Sequence, residues 1–176
     1  MQEETTLGEA LAEFRRANGI PRDEARSWTC RLGPLTLRLP NFRWRRRAIL
    51  RHDLHHLLTG YPCTLRGECQ VAAWEFAAGR FPHPAATLFC LPLVAAGVLW
   101  SPRAMWSAFT AGRRSRSLYA RDDTDTLLAT PLGSVQTAAR SEPSIADAFA
   151  FALLVAQALL LVAAPVLPVA AWLLLV

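Results

Sequence analysis

From Ala148 to Val176 the chain carries no charged side chain, and Gln157 is the only strongly polar one. As a single helix this segment would measure about 43 Å, against an apolar bilayer layer of roughly 30 Å. A helix that is apolar on every side leaves little water-compatible surface, so the segment predicts a C-terminal membrane anchor. One tilted span absorbs the excess length, as does a span broken at Pro165 and Pro168 into a hairpin-like end. Burial inside an oligomer is the alternative use of such a helix. The 176 residues then leave room for one compact domain before the anchor. The expected division is 1–140 for a helical domain and 144–176 for the anchor, with Ser141-Glu142-Pro143 between them.

Within the domain, potential metal ligands concentrate in Arg51-His52-Asp53-Leu54-His55-His56 and, after eleven further residues, Glu68. At about 100° per residue, with His52 at zero, Asp53 lies near 100° and His56 near 40°, so the three share one helical face. His55 falls outside that arc and reads as a packing histidine or one that supports the ligands. Gly60 and Pro62 end this helix, and a second one is expected from about Thr64 to Gly79. So short a connection favours an antiparallel neighbour, which turns Glu68 back toward His52 and His56, with small Ala72 leaving room beside the carboxylate. Glu75 lies two turns from Glu68, about 10 Å along the axis, and is assigned a supporting or substrate-facing role. Two imidazoles and two carboxylates suit zinc, and iron or manganese fit as well. A zincin protease would need glutamate directly after the first histidine, where Asp53 stands. The His-Asp phosphohydrolases need further separated ligands that no other segment supplies.

The pattern His52-Asp53-x-x-His56-x11-Glu68, followed by Ala72-Ala73-Trp74-Glu75, resembles the Coq4 family of ubiquinone biosynthesis. A fainter likeness surrounds Gly112-Arg113-Arg114-Ser115-Arg116-Ser117-Leu118-Tyr119. The resemblance implies a mainly α-helical, membrane-associated protein with His52, Asp53, His56 and Glu68 as ligands of a metal, usually zinc. It implies a polyprenylated aromatic or quinone-like lipid as substrate, with loss of the ring carboxyl group at C1, coupled in some members to hydroxylation. On that reading Glu75 or a metal-bound water supplies a proton, and Arg113, Arg114 or Arg116 guides the anionic ring. The competing expectation is a non-catalytic isoprenoid carrier or scaffold with a structural metal site, held in a quinone-biosynthesis complex or a homo-oligomer.

The net charge is +5 and every basic residue is arginine. No nucleic-acid-binding module accompanies the arginines, so nucleic acid is not an expected partner. Arg43, Arg45, Arg46, Arg47 and Arg51 are expected at anionic lipid headgroups or along a solvated helix start. Because the arginines precede the anchor, the domain is expected on the cytoplasmic side of a bacterial inner membrane. Cys30, Cys63, Cys69 and Cys90 lack zinc-ribbon spacing and are expected as free thiols, with Cys69 pointing away from its neighbour Glu68.

Elsewhere, Leu7, Leu11 and Phe14 predict a short helix over 6–18, and Leu35, Leu37 and Leu39 alternate as in a small hairpin over 28–39. His83 falls in a proline-marked loop. The uncharged stretch 85–100, interrupted by Pro92, is short for a span and reads as a core or interfacial helix. A helix is expected over 104–118, an exposed acidic turn at Asp122, Asp123 and Asp125, and a further short helix near Leu132.

Overall fold

The computed structural model describes residues 4–20, 26–32, 35–79, 81–121, 123–135 and 142–164. The elements among them are α1 (Leu7–Ala17), β1 (Ser27–Leu32), β2 (Leu35–Pro40), α2 (Arg43–Thr59), α3 (Leu65–Ala78), α4 (Pro84–Trp100), α5 (Pro102–Arg113), α6 (Thr124–Ala129) and α7 (Ile145–Ala163). Short 3-10 turns lie at Leu118–Ala120 and Leu132–Ser134. The fold is mainly helical, with one antiparallel hairpin in which Ser27 faces Pro40 and Leu32 faces Leu35.

Local chemistry sets the helix ends. Thr6 and Glu9 form a reciprocal capping box at the start of α1. Gly60, at φ 73°, takes the left-handed position that closes α2. Thr64 then caps α3 by accepting the Gly67 N–H. Between the two helices the chain turns so tightly that a Cβ on Gly67 would lie 1.8 Å from the Pro62 carbonyl oxygen. Only glycine permits that turn, and the turn is what folds α3 back beside α2.

Two apolar cores result. Leu7 and Leu11 of α1, Leu54 of α2, Leu118 of the first 3-10 turn and Leu127 of α6 form one. Cys69, Ala72, Ala73 and Trp74 of α3 form the other with Leu91, Val94 and Ala95 of α4, Met105, Ala108 and Phe109 of α5, and Leu154 and Ala158 of α7. The small residues let the helices approach closely: a Cβ on Gly112 of α5 would sit 2.3 Å from the Trp74 carbonyl oxygen. Ala72 is therefore spent on this core and not on space beside Glu68.

Several expectations are revised. The helix expected over 104–118 starts at Pro102 and stops at Arg113. The acidic turn is the start of α6, whose first N–H groups, those of Asp125 and Thr126, donate to the Asp123 carboxylate; Asp122 lies outside the described residues. Near Leu132 there is only a 3-10 turn. Helix α7 has 19 residues with a mean hydropathy of 2.3, so the described residues contain one helix long and apolar enough to cross a membrane. The hairpin-like end suggested by Pro165 and Pro168 lies outside the described residues.

Candidate metal centre

Helices α2 and α3 meet along a polar seam between the two cores. His52 Nε2 lies 3.1 Å from Glu68 Oε2 and 3.2 Å from His56 Nε2, and His56 Nε2 lies 3.3 Å from Glu68 Oε1. His56 is buried, while the side chains of His52 and Glu68 remain 22% and 33% exposed, so the cluster opens on one side.

The hydrogen bonds behind the imidazoles fix which nitrogens face inward. His56 Nδ1 is 2.9 Å from the Tyr61 carbonyl, which can only accept, so Nδ1 carries the proton and Nε2 presents its lone pair. The left-handed turn at Gly60 delivers that carbonyl. His52 Nδ1, 3.0 Å from Glu75 Oε1, donates to a carboxylate and leaves its own Nε2 facing His56. Two imidazole lone pairs 3.2 Å apart repel unless a cation, a proton or a metal ion, sits between them. Tetrahedral zinc with bonds of about 2.05 Å separates its donors by about 3.3 Å. The two imidazole Nε2 atoms, 3.2 Å apart, match that edge, while Glu68 meets them through different oxygens, and one donor atom from each of the three residues lies within 4.8 Å of the others.

Glu75 organises the seam from behind. It is fully buried, and its Oε1 accepts from His52 Nδ1, from His55 Nδ1 at 2.7 Å and from the Tyr119 hydroxyl at 2.8 Å. The Leu118 N–H donates to His55 Nε2 at 3.0 Å, which leaves the His55 proton on Nδ1 and makes the ring neutral. Burial lowers the His55 pKa accordingly. Burial would raise the pKa of Glu75, but the charge on His52 and the hydrogen bonds from His52 and His55 overcome it and hold the carboxyl at about 2. Burial likewise opposes charge on His52, yet Glu75 and Glu68 on its two nitrogens bring its pKa well above the ordinary imidazole value. Glu68 is pulled down to about 2: burial raises it, and the hydrogen bonds that the inward nitrogens of His52 and His56 donate when they hold a proton in place of an ion outweigh that. Tyr119, buried and facing Glu75, is shifted upward and keeps its hydroxyl proton.

The remaining sequence candidates go elsewhere. Asp53 is buried and paired with Arg15 of α1, at 2.6 Å to the terminal nitrogen and 2.8 Å to Nε. To bind the same ion it would have to leave that guanidinium. Arg113 and Arg114 reach Asp147 at the start of α7, at 3.0 and 3.4 Å, and Arg114 also donates to the Glu142 carbonyl at 2.7 Å. Both serve the entry to α7. Arg116 is exposed. Arg51 leaves the expected lipid-facing cluster: it is buried and donates to the carbonyls of Leu118 and Arg121 at 3.2 and 3.1 Å. Arg45 stacks on Trp28 at 4.0 Å. His83 caps α4 by accepting the Ala85 N–H and stacks on Trp44 at 4.2 Å. Cys63, Cys69 and Cys90 are free thiols, with Cys69 in the core.

No family model, curated protein or solved structure matches the chain.

Proposed function

We propose that this chain is a membrane-associated metalloprotein that binds one divalent ion through His52, His56 and Glu68 and acts on a polyprenylated aromatic acid, removing its ring carboxyl group. The observation that carries the reading is the convergence of two Nε2 atoms, each with its Nδ1 proton already committed, on a partly exposed carboxylate. Three protein donors and an open side leave a coordination position for another ligand, which favours chemistry over a closed structural site. The Coq4-like pattern of the sequence supplies the substrate class, and the long apolar helix supplies a reason for the substrate to be a lipid.

A bound zinc, iron or manganese ion would contribute Lewis-acid stabilisation of negative charge on the substrate. The chain's own residues hold the ligands: Glu75 and Tyr61 fix the tautomers of His52 and His56, and Tyr119 and His55 fix Glu75. Glu75 itself is sealed from solvent and ionised, so its part is orientation and not proton donation; the proton that takes the place of the carboxyl group on the ring comes from water on the open side of the cluster. The test is a metal titration and an assay of the full chain in detergent on a polyprenylated 4-hydroxybenzoate, with and without oxygen. One equivalent of ion and release of carbon dioxide are expected, both lost in Glu68→Ala while the helical circular dichroism persists. A metal-loaded chain that binds the isoprenoid tightly without turnover would replace this reading with carriage.

A further inference from the structure

Helix α4 presents a second apolar surface that its own fold leaves uncovered. At about 100° per residue, Leu88, Phe89, Pro92, Ala96, Leu99 and Trp100 fall within one arc of roughly 120°. Leu88, Phe89, Leu99 and Trp100 are 55, 60, 78 and 69% exposed, whereas Leu91, Val94, Ala95 and Gly97 on the other side are buried. No charged residue occurs from Pro84 to Trp100. Helix α7 lies alongside, with Phe149, Leu153 and Leu160 at 74, 61 and 66% exposure, so the two helices offer one continuous apolar slab. Soluble monomers rarely expose a patch on that scale.

The packing of α7 restricts how a bilayer can meet this slab. Asp147, Ala150, Phe151, Leu154, Ala158 and Leu161 form a stripe along the whole helix that is buried or packed against the body. Asp147 pairs with Arg113 and Arg114, and Phe151 meets Phe109 and Trp106, so α7 runs back along α5. Were α7 to cross the apolar layer with these contacts kept, α5 and the Glu75 seam behind α3 would have to enter it too, at a prohibitive cost in buried polar groups.

We infer that the chain docks side-on, with α4 and α7 lying together in one leaflet and their outer faces sunk into the acyl boundary, instead of by α7 crossing the bilayer. Such monotopic insertion reaches about 5–10 Å below the headgroups. Trp100 closes the α4 face beside Arg66, across a shallow cleft that Ser101 also lines, which places an indole and a cation at headgroup level. The inference rests on the membrane association proposed above and is independent of the metal.

Its test places a genetically encoded fluorescent amino acid in turn at Phe89, Leu99, Phe149 and Leu160 of the full chain. The protein is bound to vesicles of phosphatidylethanolamine and phosphatidylglycerol carrying nitroxides at the headgroup, carbon 5 or carbon 12. Side-on docking predicts quenching at all four positions, strongest from carbon 5 or the headgroup. A depth that increases from Phe149 to Leu160 by about 16 Å, with Phe89 and Leu99 unquenched, overturns it and leaves a single span. Quenching at none of the four overturns both this inference and the membrane reading. Blue shifts that depend on protein concentration and not on lipid overturn it in favour of a second copy of the chain on this face.

Discussion

At the residue scale the site depends most on Glu75, which touches no proposed ligand atom and yet sets the inward face of His52. In Glu75→Gln the amide replaces an acceptor with a donor on one side, and the three donors that converge on Oε1 lose their charged partner. Divalent-ion affinity should fall about 10- to 100-fold by competition titration, with the fold retained. An unchanged affinity would remove Glu75 from the site. The pH dependence follows from the same groups. Glu68 and Glu75 sit at about 2 in the folded state against an ordinary 4.5, so their stabilising contribution is complete above 4.5 and is lost as the pH falls toward 2. His52 is shifted the other way: its contribution is complete below 6.5 and fades as the pH rises through its elevated folded value. Urea unfolding of the metal-free protein should therefore show maximal stability between about 4.5 and 6.5, and a flat profile down to 2 would contradict the pairing. Of this seam the sequence exposes the part that helical geometry controls: His52, His56 and Glu68 follow from spacing and one tight turn. Asp53 shares the nominal face but sits some 100° round from His52, where α1 supplies Arg15, and no local signal announces that partner. Tyr119 and the Leu118 amide come from 63 or more residues beyond His55 and are invisible to any local pattern.

At the element scale, the α2–α3 turn is legible because its chemistry is local: Gly60 for the left-handed residue, Pro62 for the break and Thr64 for the cap. What the sequence does not disclose is how closely Gly67 approaches Pro62. Adding one methyl there, in Gly67→Ala, forces the turn open and carries Glu68 away from His52; a loss of about 3 kcal/mol in chemical denaturation and weakened metal binding are expected together. If Gly67→Ala binds metal normally, the turn does not position Glu68. The acidic residues after Arg121 are a second lesson, since a cluster of carboxylates in a polar stretch reads as a loop until a helix is seen to begin on one of them. Replacing that cap, in Asp123→Ala, should cost about 1 kcal/mol without touching the site. The early stop of α5 at Arg113 has a tertiary cause: the chain leaves the helix so that Leu118 can reach His55 and Tyr119 can reach Glu75.

At the scale of the whole molecule, the question is whether α7 is a detachable anchor or part of the domain. Composition suggests the first, because an uncharged run at the end of a chain looks separable from whatever precedes it. The packing argues for the second: Leu154 is 6% exposed and Ala158 fully buried, both within the cluster that holds Trp74, Val94, Ala95 and Phe109. Burial of a leucine side chain of this size contributes about 1.5–3 kcal/mol, and the facing residues of α4 and α5 would be uncovered as well. Asp147 adds an ion pair that closes the α5 end of the contact. A chain truncated after Glu142 should consequently lose at least about 3 kcal/mol in detergent and aggregate without it, instead of emerging as a soluble metal-binding domain. Thermal unfolding and size-exclusion chromatography of the truncated and full chains measure this directly. A truncated protein that is monomeric in buffer, melts as the full chain does and still binds one equivalent of ion would make α7 an accessory tail. The opposite outcome would make the apolar helix a structural member of the domain, and on the side-on docking inferred above the folding of the body and its attachment to a membrane would then depend on the same helix.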